Sequence, residues 1–578
     1  MVIELVLAAL VGALDPTAGL QAREHAPARA RSLPRYALDV RVDLAAMQLE
    51  GEARIELPAP RPAGPVVLRL YPNAWIKRGA PPLRLRSAEV DGAAARVEPA
   101  SRTSARVHAP AAARALTVRW SASIPRVPRQ EALSLETLLG ALGGGSDDDG
   151  LGYGLFGATG ATVALAGFYP ALADVRGGRW DDAEPSPIGD SGSNHLCDVQ
   201  LRLEVAGGAA FAVTPGVEAP TASTPGGAAT AVTLRQAGSV RDFPLFLLRD
   251  HVALEAEVAG VRVRAWARPA HRGESGRALG FAKSALFALE RRFGPYPYLG
   301  LEIVELPMRG GAGGAEFPGL IVVADTLYAP PDLGPLGALF GDAGGGAGAE
   351  LGDMMRDLLE FTVAHEVAHQ WWAMLVGSDA RRAPFVDEPL TSYSAALAIG
   401  DARGEAAGRA ALDRNARAGY QMARLIGTAD GAVRRPVTAF ASKNAYGALV
   451  YGKAPMLFSH LEKRMGPGPL ARALRGYADA HRFREAPPEA LFEALEKAAP
   501  EPAAARAIMR RFLDERRGDA DLGKASMAEL VQRFVPGLDL GPMAPVLEQL
   551  MSGGELDLGA LQGLPPTPRR RRSSPRSR

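Results

Sequence analysis

The sequence predicts a multidomain α+β protein in which a β-rich first half is followed by a mainly helical region with a small sheet. Two observations predict this fold class. Short segments of alternating apolar and polar residues recur up to about residue 250, whereas helical periodicity dominates the rest of the chain. The length of 578 residues and the hydrophobic content of 47% are those of an ordinary globular protein with several domains.

Residues 1–32 are expected to be a leader or a disordered N-terminus. The apolar run from Leu5 to Leu14 has the length of a secretory signal core and is too short to cross a bilayer. Glu4 departs from the basic start of such a signal. We expect export to the periplasm or the exterior if the run is a signal, and a cytoplasmic location otherwise.

Residues 33–255 are expected to form an antiparallel β-sandwich. Apolar residues alternate strictly from Tyr36 to Leu44, as in a strand with one buried face. The same pattern returns in Glu50–Leu57, Val66–Leu70 and Val199–Val205. The glycine-rich residues 140–160 interrupt this region and are expected to form a surface loop without a metal ion, because their three aspartates are consecutive rather than alternate.

Residues 256–517 are expected to form the second domain, which begins with a small sheet. Val261–Trp266 has the pattern of a strand, and Ser275–Phe293 has that of a helix ended by a Gly-Pro pair. Leu301–Leu306 and Leu320–Val323 are predicted strands on either side of the string Gly313–Gly319. A second glycine-rich insertion, residues 341–352, precedes the next helix and could cover a cleft.

The predicted helix Asp353–Val376 carries the strongest chemical motif of the sequence. His365 and His369 are four residues apart and therefore lie about 40° apart around the helix axis, so both imidazoles can reach one metal ion. Zinc accepts imidazole nitrogen and carboxylate oxygen, and a catalytic zinc keeps one position for water. Glu366 lies beside that water position, where a general base is needed.

Glu388 supplies a third candidate ligand. It follows His369 after a gap of 18 residues and lies in the first turn of another predicted helix. The string HEVAHQWW, this gap and the glutamate of DEPLTSY resemble the gluzincin aminopeptidases of peptidase family M1. The resemblance implies one Zn²⁺ per chain, bound by His365, His369 and Glu388, in a thermolysin-like catalytic domain. Thermolysin-like endopeptidases use a slightly longer gap and are the second resemblance.

The resemblance extends to the first half of the chain. Leu70–Ala74, and Gly167–Pro170 followed by Trp180, are similar to landmarks of the N-terminal saddle domain in bacterial members of the family. Larger members carry a long helical C-terminal domain that closes over the active site, and none is expected here.

The resemblance also implies how a peptide is held. In the family, an edge strand beside the zinc carries Gly-Ala-Met-Glu-Asn or Gly-Gly-Met-Glu-Tyr-Pro, whose glutamate binds the free α-amino group of the substrate. Gly313, Gly314, Ala315 and Glu316 match this string, with Ala315 in place of methionine. Glu316 is therefore implied to select a cationic N-terminus.

A tyrosine completes the implied site. The family has Tyr-x-Lys-Gly, whose tyrosine donates a hydrogen bond to the oxyanion. Tyr451 matches this position, although Ala454 replaces the usual glycine, and Tyr446 is the alternative.

The C-terminal part is expected to be helical and then disordered. Four helices are predicted, at Leu457–Met465, Leu470–His481, Pro488–Lys497 and Ala503–Glu515. A short helical segment is expected in residues 518–564, and a disordered basic tail in residues 565–578.

These residues together predict a zinc metallo-aminopeptidase that hydrolyses the N-terminal peptide bond of peptides, with Glu366 as general base and Tyr451 as oxyanion donor. A zinc endopeptidase of the same chemistry is the alternative. The departures at Ala315 and Ala454 also leave open a non-catalytic zinc-binding scaffold, and a few family relatives hydrolyse epoxides.

Composition limits the other partners. The net charge of +2 is too small to indicate a nucleic acid, and the single cysteine, Cys197, excludes an intramolecular disulfide. No segment has transmembrane length, which leaves only peripheral membrane contact open. Oligomeric state and side-chain preference are not indicated.

Overall fold

A computed structural model of the chain describes residues 33–129, 150–186, 188–189, 195–218, 231–329 and 346–534. The predictions for the leader, for residues 535–564 and for the basic tail lie outside the described residues. The same holds for the three aspartates of the first glycine-rich loop and for the start of the second insertion. Among the described helices, none is both long and apolar enough to cross a bilayer.

In the described chain before residue 250, the regular elements other than one short helix are strands. They are β1 (Arg35–Asp43), β2 (Gln48–Glu56), β3 (Val66–Arg69), β4 (Leu83–Val90), β5 (Ala93–Ala94), β6 (Val97–Pro99), β7 (Ser104–Val107), β8 (Ala115–Ser123), β9 (Phe156–Thr159), β10 (Thr162–Leu165), β11 (Ala171–Leu172), β12 (Val175–Arg176), β13 (Arg179–Trp180), β14 (Cys197–Ala206), β15 (Phe211–Val213), β16 (Val217–Glu218), β17 (Ala231–Val240) and β18 (Leu245–Leu248).

These strands form one large sheet and smaller ones packed against it. The large sheet has the order β16-β17-β14-β1-β2-β8-β4-β5, and two four-stranded sheets have the orders β15-β18-β10-β9 and β11-β3-β7-β6. The predicted β-rich domain is present, but the expectation of a purely antiparallel arrangement is wrong, because β1 pairs with β14 in parallel. Parallel neighbours require a long connection, which the many strands between β1 and β14 provide.

Side-chain alternation explains the large sheet. In β1, Tyr36, Leu38, Val40 and Val42 are buried while the residues between them are not. Opposite β8, Gly51 leaves room for the buried ring of Trp120, because a β-carbon at residue 51 would collide with that ring. The pairing register is therefore set by burial on one face.

The second region begins with a mixed five-stranded sheet of order β19-β20-β21-β23-β22. Its strands are β19 (Val252–Val258), β20 (Val261–Ala267), β21 (Gly300–Leu306), β22 (Gly314–Phe317) and β23 (Leu320–Ala324). Among the described strands, β22 pairs only with β23, in antiparallel register, and lies at the edge of the sheet. The predicted boundary between residues 255 and 256 falls inside β19, so this sheet starts a few residues earlier than expected.

Helices make up most of the remaining described chain. They are α1 (Pro72–Trp75) in the β-rich region, followed by α2 (Arg272–Phe293), α3 (Gly346–Ala368), α4 (Asp387–Arg403), α5 (Glu405–Leu412), α6 (Ala418–Leu425), α7 (Lys443–Tyr446), α8 (Met456–Met465), α9 (Pro467–His481), α10 (Ala490–Ala498), α11 (Pro502–Leu513), α12 (Gly518–Leu522) and α13 (Met527–Phe534). Two π-helical segments, Asp413–Arg417 and Gly447–Lys453, join α5 to α6 and follow α7. Short 3₁₀ turns lie at Pro269–His271, Asp325–Leu327 and Val437–Ala439, and a last strand pair consists of β24 (Val376–Gly377) and β25 (Arg484–Glu485).

The helix that carries the histidines is shifted relative to the sequence prediction. α3 runs from Gly346 to Ala368, so part of the second glycine-rich insertion is helical and the helix does not reach Val376. Two fully buried indoles account for its early end. Trp371 donates a hydrogen bond to Gly294 O at 3.0 Å, and Trp372 donates one to Ser394 Oγ at 2.9 Å.

Candidate metal centre and active site

The nine residues predicted for the site all line one cavity of about 500 Å³. It lies where the C-terminal end of α3, the start of α4 and the edge strand β22 meet the β-rich region. The residues are Gly313, Gly314, Ala315, Glu316, His365, Glu366, His369, Glu388 and Tyr451. The tertiary structure therefore brings together side chains that the sequence spreads over almost 140 positions.

Three of these residues converge on one point. His365 lies in the last turn of α3, His369 directly follows its last residue, and Glu388 lies in the first turn of α4. The Nε2 atoms of the two histidines are 3.2 Å apart. Glu388 Oε2 lies 3.2 Å from His365 Nε2 and 3.5 Å from His369 Nε2.

This triangle of ligand atoms fits a zinc ion. Zinc bonds of about 2.0–2.1 Å in a tetrahedral site place neighbouring ligand atoms roughly 3.3 Å apart, close to the separations seen here. Glu388 Oε2 is buried and accepts no hydrogen bond from the described chain, which leaves it free to face a cation. The histidines and Glu388 together provide two neutral nitrogens and one carboxylate oxygen.

Neighbouring groups orient the two imidazoles. His369 Nδ1 lies 2.9 Å from Trp372 O, so it carries the proton and leaves the Nε2 lone pair for the metal. His365 Nδ1 lies 3.4 Å from Ser392 Oγ. Neither partner was predicted, because the turn after Ala368 was expected to be helical and Ser392 was assigned no role within the string DEPLTSY.

A second grouping, Glu316, Glu366 and His369, also brings ligand atoms within 4.8 Å of one another. It shares His369 with the first grouping. Because Trp372 O engages His369 Nδ1, that histidine has one nitrogen to offer, and the two groupings describe a single centre.

Glu366 has the environment of a proton acceptor. Its side chain is buried, and its Oε2 has no hydrogen-bond partner in the described chain. Burial raises the pKa of Glu366 well above its usual range, although His369 lowers it. Glu316 and Glu388 add to the increase. A carboxylate with a raised pKa holds a transferred proton more readily.

Tyr451 reaches the metal ligands. Its hydroxyl donates a hydrogen bond to Glu388 Oε1 at 2.6 Å, and its ring centroid lies 6.2 Å from that of His365. The π-helical segment Gly447–Lys453 carries it, and Ala454 N donates to Leu449 O within that irregular turn. The hydroxyl of Tyr446, the alternative, lies beside Gly189.

Glu316 is half-buried on β22, with its Oε1 at 3.9 Å from His369 Nδ1. Burial raises the pKa of Glu316 to about 7, His369 lowers it and Glu388 raises it. A cation bound here would therefore neutralise a carboxylate in a poorly solvated position.

Gln370, which sequence reasoning missed, holds the edge strand against α3. Its Nε2 donates to Phe317 O at 3.0 Å, and its Oε1 accepts from Gly319 N at 2.9 Å. These two bonds join the residue after His369 to the strand of Glu316. The only available signal was its position directly after the histidine motif.

The β-rich region supplies another wall of the cavity, formed by Tyr71, Trp75, Tyr153, Arg241 and Asp242. Tyr71 lies in the string Leu70–Ala74 and Tyr153 in the glycine-rich residues 140–160, but neither side chain was expected at the site. Trp75 ends α1, and Arg241 and Asp242 follow β17. The place of these residues at the site follows from the tertiary structure alone.

Comparisons with known proteins agree with this geometry. Residues 352–512 match the model of the peptidase family M1 domain. The structure of an M1 zinc metallopeptidase from Deinococcus radiodurans is similar, at 16% sequence identity and a TM-score of 0.55 over 84% of this chain and 94% of that one. No curated protein matches the sequence.

Two further structures with similar folds contain ligands. A two-domain M1 zinc metallopeptidase mutant bound to L-arginine has 15% identity and a TM-score of 0.54, and a Deinococcus radiodurans mutant bound to the substrate Tyr-Ser-Ala has 16% identity and a TM-score of 0.52. Each match covers 84% of this chain and 94% of the other. The likeness shows a shared mixed α+β fold with a β-rich N-terminal and a helical C-terminal region. The thermolysin-like arrangement stays a prediction.

Proposed function

Because the chain belongs to peptidase family M1, a family of zinc metallopeptidases, we propose that it hydrolyses the N-terminal peptide bond of peptide substrates. The observation that carries the proposal is the place of Glu316, a half-buried carboxylate in the same cavity as the three candidate zinc ligands. A free peptide N-terminus is a cation and pairs with this carboxylate. An internal peptide nitrogen has no charge to offer.

His365, His369 and Glu388 are the residues that would hold the zinc ion. When bound, zinc acts as a Lewis acid that lowers the pKa of water and polarises a carbonyl group. The fit of the three ligand atoms to a tetrahedral site supports this assignment.

The remaining chemistry belongs to the side chains of the chain. Glu366 accepts a proton from the attacking water and returns it to the departing amine, which its burial next to the ligands favours. Tyr451 donates a hydrogen bond from its hydroxyl to the oxygen that becomes negative as the carbonyl is attacked. In the structure this hydroxyl is bonded to Glu388, so it exchanges one oxygen acceptor for another.

The ligands of the similar structures support peptides as the substrate class. One of those structures contains the substrate Tyr-Ser-Ala and another contains L-arginine, a free amino acid. Both ligands have an α-amino group of the kind that Glu316 would bind here.

The test compares free and blocked substrates on the zinc-loaded protein. Aminocoumarin derivatives of alanine and leucine should be hydrolysed, whereas their N-acetyl forms should not. Acetylation removes the charge of the α-amino group and places bulk against Glu316. Glu316→Gln should lose most of this discrimination. Glu255→Gln, on an exposed part of β19 in the same sheet, is the matched control and should keep it.

Equal kcat/KM values for free and acetylated substrates on the unmodified protein would contradict the aminopeptidase proposal. That result, together with unchanged kcat/KM values in the Glu316→Gln variant, would indicate the endopeptidase alternative. Failure to cleave any peptide with zinc fully bound would indicate the non-catalytic alternative.

A further inference from the structure

Asp242 lines the cavity but takes no part in the proposed reaction. It lies in the short connection between β17 and β18, and contacts on both sides hold this connection in place. Arg241 Nε donates to Met374 O at 3.1 Å, in the turn that follows His369. Phe246, at the other side, packs edge-on against Phe317 with ring centroids 6.0 Å apart. Asp242 is thus held between the end of the histidine helix and the strand of Glu316.

The carboxylate of Asp242 lacks a positive partner in the described chain. It is half-buried, and within the described residues its one hydrogen bond comes from its own neighbour, Phe243 N, at 2.6 Å. Burial raises the pKa of Asp242 to about 6, and only the bond from Phe243 N lowers it. A cationic ligand stabilises a poorly solvated carboxylate most when no cation of the protein already pairs with it.

The adjacent cation is directed elsewhere. Besides its bond to Met374 O, the guanidinium of Arg241 packs against Gly377, where a β-carbon would collide with it. The carboxylates that interact with it most strongly are those of Glu485 and Asp174. Arg241 therefore does not compensate Asp242.

Aromatic side chains line the same cavity as this carboxylate. Tyr71 and Trp75 line the same wall, with stacked rings whose centroids are 6.2 Å apart. Burial raises the pKa of Tyr71, Arg69 lowers it, and the charge of Asp242 adds to the increase. A carboxylate beside aromatic faces suits a long side chain that has an apolar stem and a cationic end.

We propose that Asp242 binds the cationic side chain of lysine or arginine at the first residue of the substrate and makes the enzyme prefer basic N-terminal residues. This inference rests on the proposed function, because Glu316 and the metal ligands are what place the first residue beside this wall. Ala315 lines the same cavity with a single methyl group, which leaves room for a long side chain.

The test uses two substrates that differ in charge but hardly in shape. Arginine aminomethylcoumarin and its citrulline counterpart have side chains of equal length, and only arginine is cationic. The unmodified protein should favour arginine in kcat/KM by roughly tenfold or more, as expected for a charge-assisted hydrogen bond. Asp242→Asn should bring this ratio close to one.

Asp250→Asn is the matched control, since Asp250 is an exposed aspartate in the same region. It should keep the preference for arginine. A ratio near one for the unmodified protein, or an unchanged ratio for Asp242→Asn, would overturn the proposal. If Asp242→Asn does not fold, the ratio of kcat/KM for arginine to that for citrulline on the unmodified protein still tests the proposal, because a ratio near one overturns it.

The two proposals can fail separately. Hydrolysis of free substrates without a preference for arginine would overturn the role of Asp242 and leave the aminopeptidase activity standing. If free and acetylated substrates are cut equally, the role of Asp242 is tested by binding instead of turnover. Calorimetry then measures the affinities for argininamide and citrullinamide. Tighter binding of argininamide that Asp242→Asn abolishes would support the proposal, and equal binding would overturn it.

Discussion

The side chain of Glu366 lies directly against the α-carbon of Gly314 on the edge strand. A β-carbon at residue 314 would stand 2.7 Å from Glu366 Cγ and 2.6 Å from its Cδ. Both distances are shorter than any stable contact between carbon atoms. The absence of a side chain at residue 314 therefore allows the strand that would bind the substrate to approach the general base.

Gly314→Val should displace Glu366 and lower kcat by roughly 10- to 100-fold, because a misplaced base transfers protons poorly. Zinc content should not change, since the metal ligands are not touched. Gly300→Val is the control, as a β-carbon there would meet only Arg262 O at 3.4 Å. Full activity of Gly314→Val would show that Glu366 can move aside without loss.

Glu388→Ala should lower the zinc affinity by more than roughly 100-fold, because it removes one of three ligands. His365→Ala and His369→Ala should behave alike. Metal analysis after dialysis against a chelator measures the effect, with Glu366→Gln as the control that should keep zinc and lose kcat by about 100-fold. Full zinc occupancy in the three ligand variants would contradict the assigned centre.

Tyr451→Phe should lower kcat with little change in KM, because its hydroxyl acts on the transition state. One donor to an oxyanion typically contributes about 3 kcal/mol, or a factor of more than 100 in rate. Tyr446→Phe, whose ring packs on that of Tyr451 with centroids 5.8 Å apart, should have a much smaller effect. The reverse ranking would assign the oxyanion to Tyr446. A change in zinc affinity alone would mean that Tyr451 serves only to orient Glu388.

Asp181 should make the contact between the β-rich and helical regions sensitive to acid. It accepts hydrogen bonds from Arg381 at 2.5 Å and Arg382 at 3.1 Å, both from the segment before α4. Burial raises the pKa of Asp181, but these bonds outweigh it and lower the pKa to about 2. Because the folded pKa lies below the unfolded value of about 3.9, the stabilisation is complete above pH ~4 and is lost as the pH falls through ~2.

Asp181→Asn should therefore destabilise the protein by about 1–3 kcal/mol at pH 7, with a difference from the unmodified protein that shrinks below pH 4. Thermal melting at a series of pH values measures this difference. Asp182→Asn is the control, because its pair with Arg106 is exposed and should contribute less than about 1 kcal/mol. A difference that stays constant from pH 7 to pH 2.5 would contradict the role of Asp181.

The sequence alone determined the parts of the site that depend on local periodicity. Two histidines four residues apart in a helix must share a face, and the structure places His365 in the last turn of α3 and His369 directly after it, with their Nε2 atoms 3.2 Å apart. The acidic start of the next helix placed Glu388 in its first turn, as found. Strand alternation likewise predicted which side chains of β1 are buried, since a pleated strand exposes alternate residues to opposite sides.

Only the tertiary structure decided the features that depend on contacts between distant segments. The histidine helix ends at Ala368 rather than near Val376 because two tryptophans find buried partners on other elements, and helical periodicity does not reveal those partners. Contacts between distant segments also decide three other features. They are the parallel pairing of β1 and β14, the hydrogen bond from Gln370 to the edge strand, and the position of Asp242 at the cavity. Local patterns report which face of an element is buried, whereas the identity of the neighbour that buries it is settled only when the whole chain has packed.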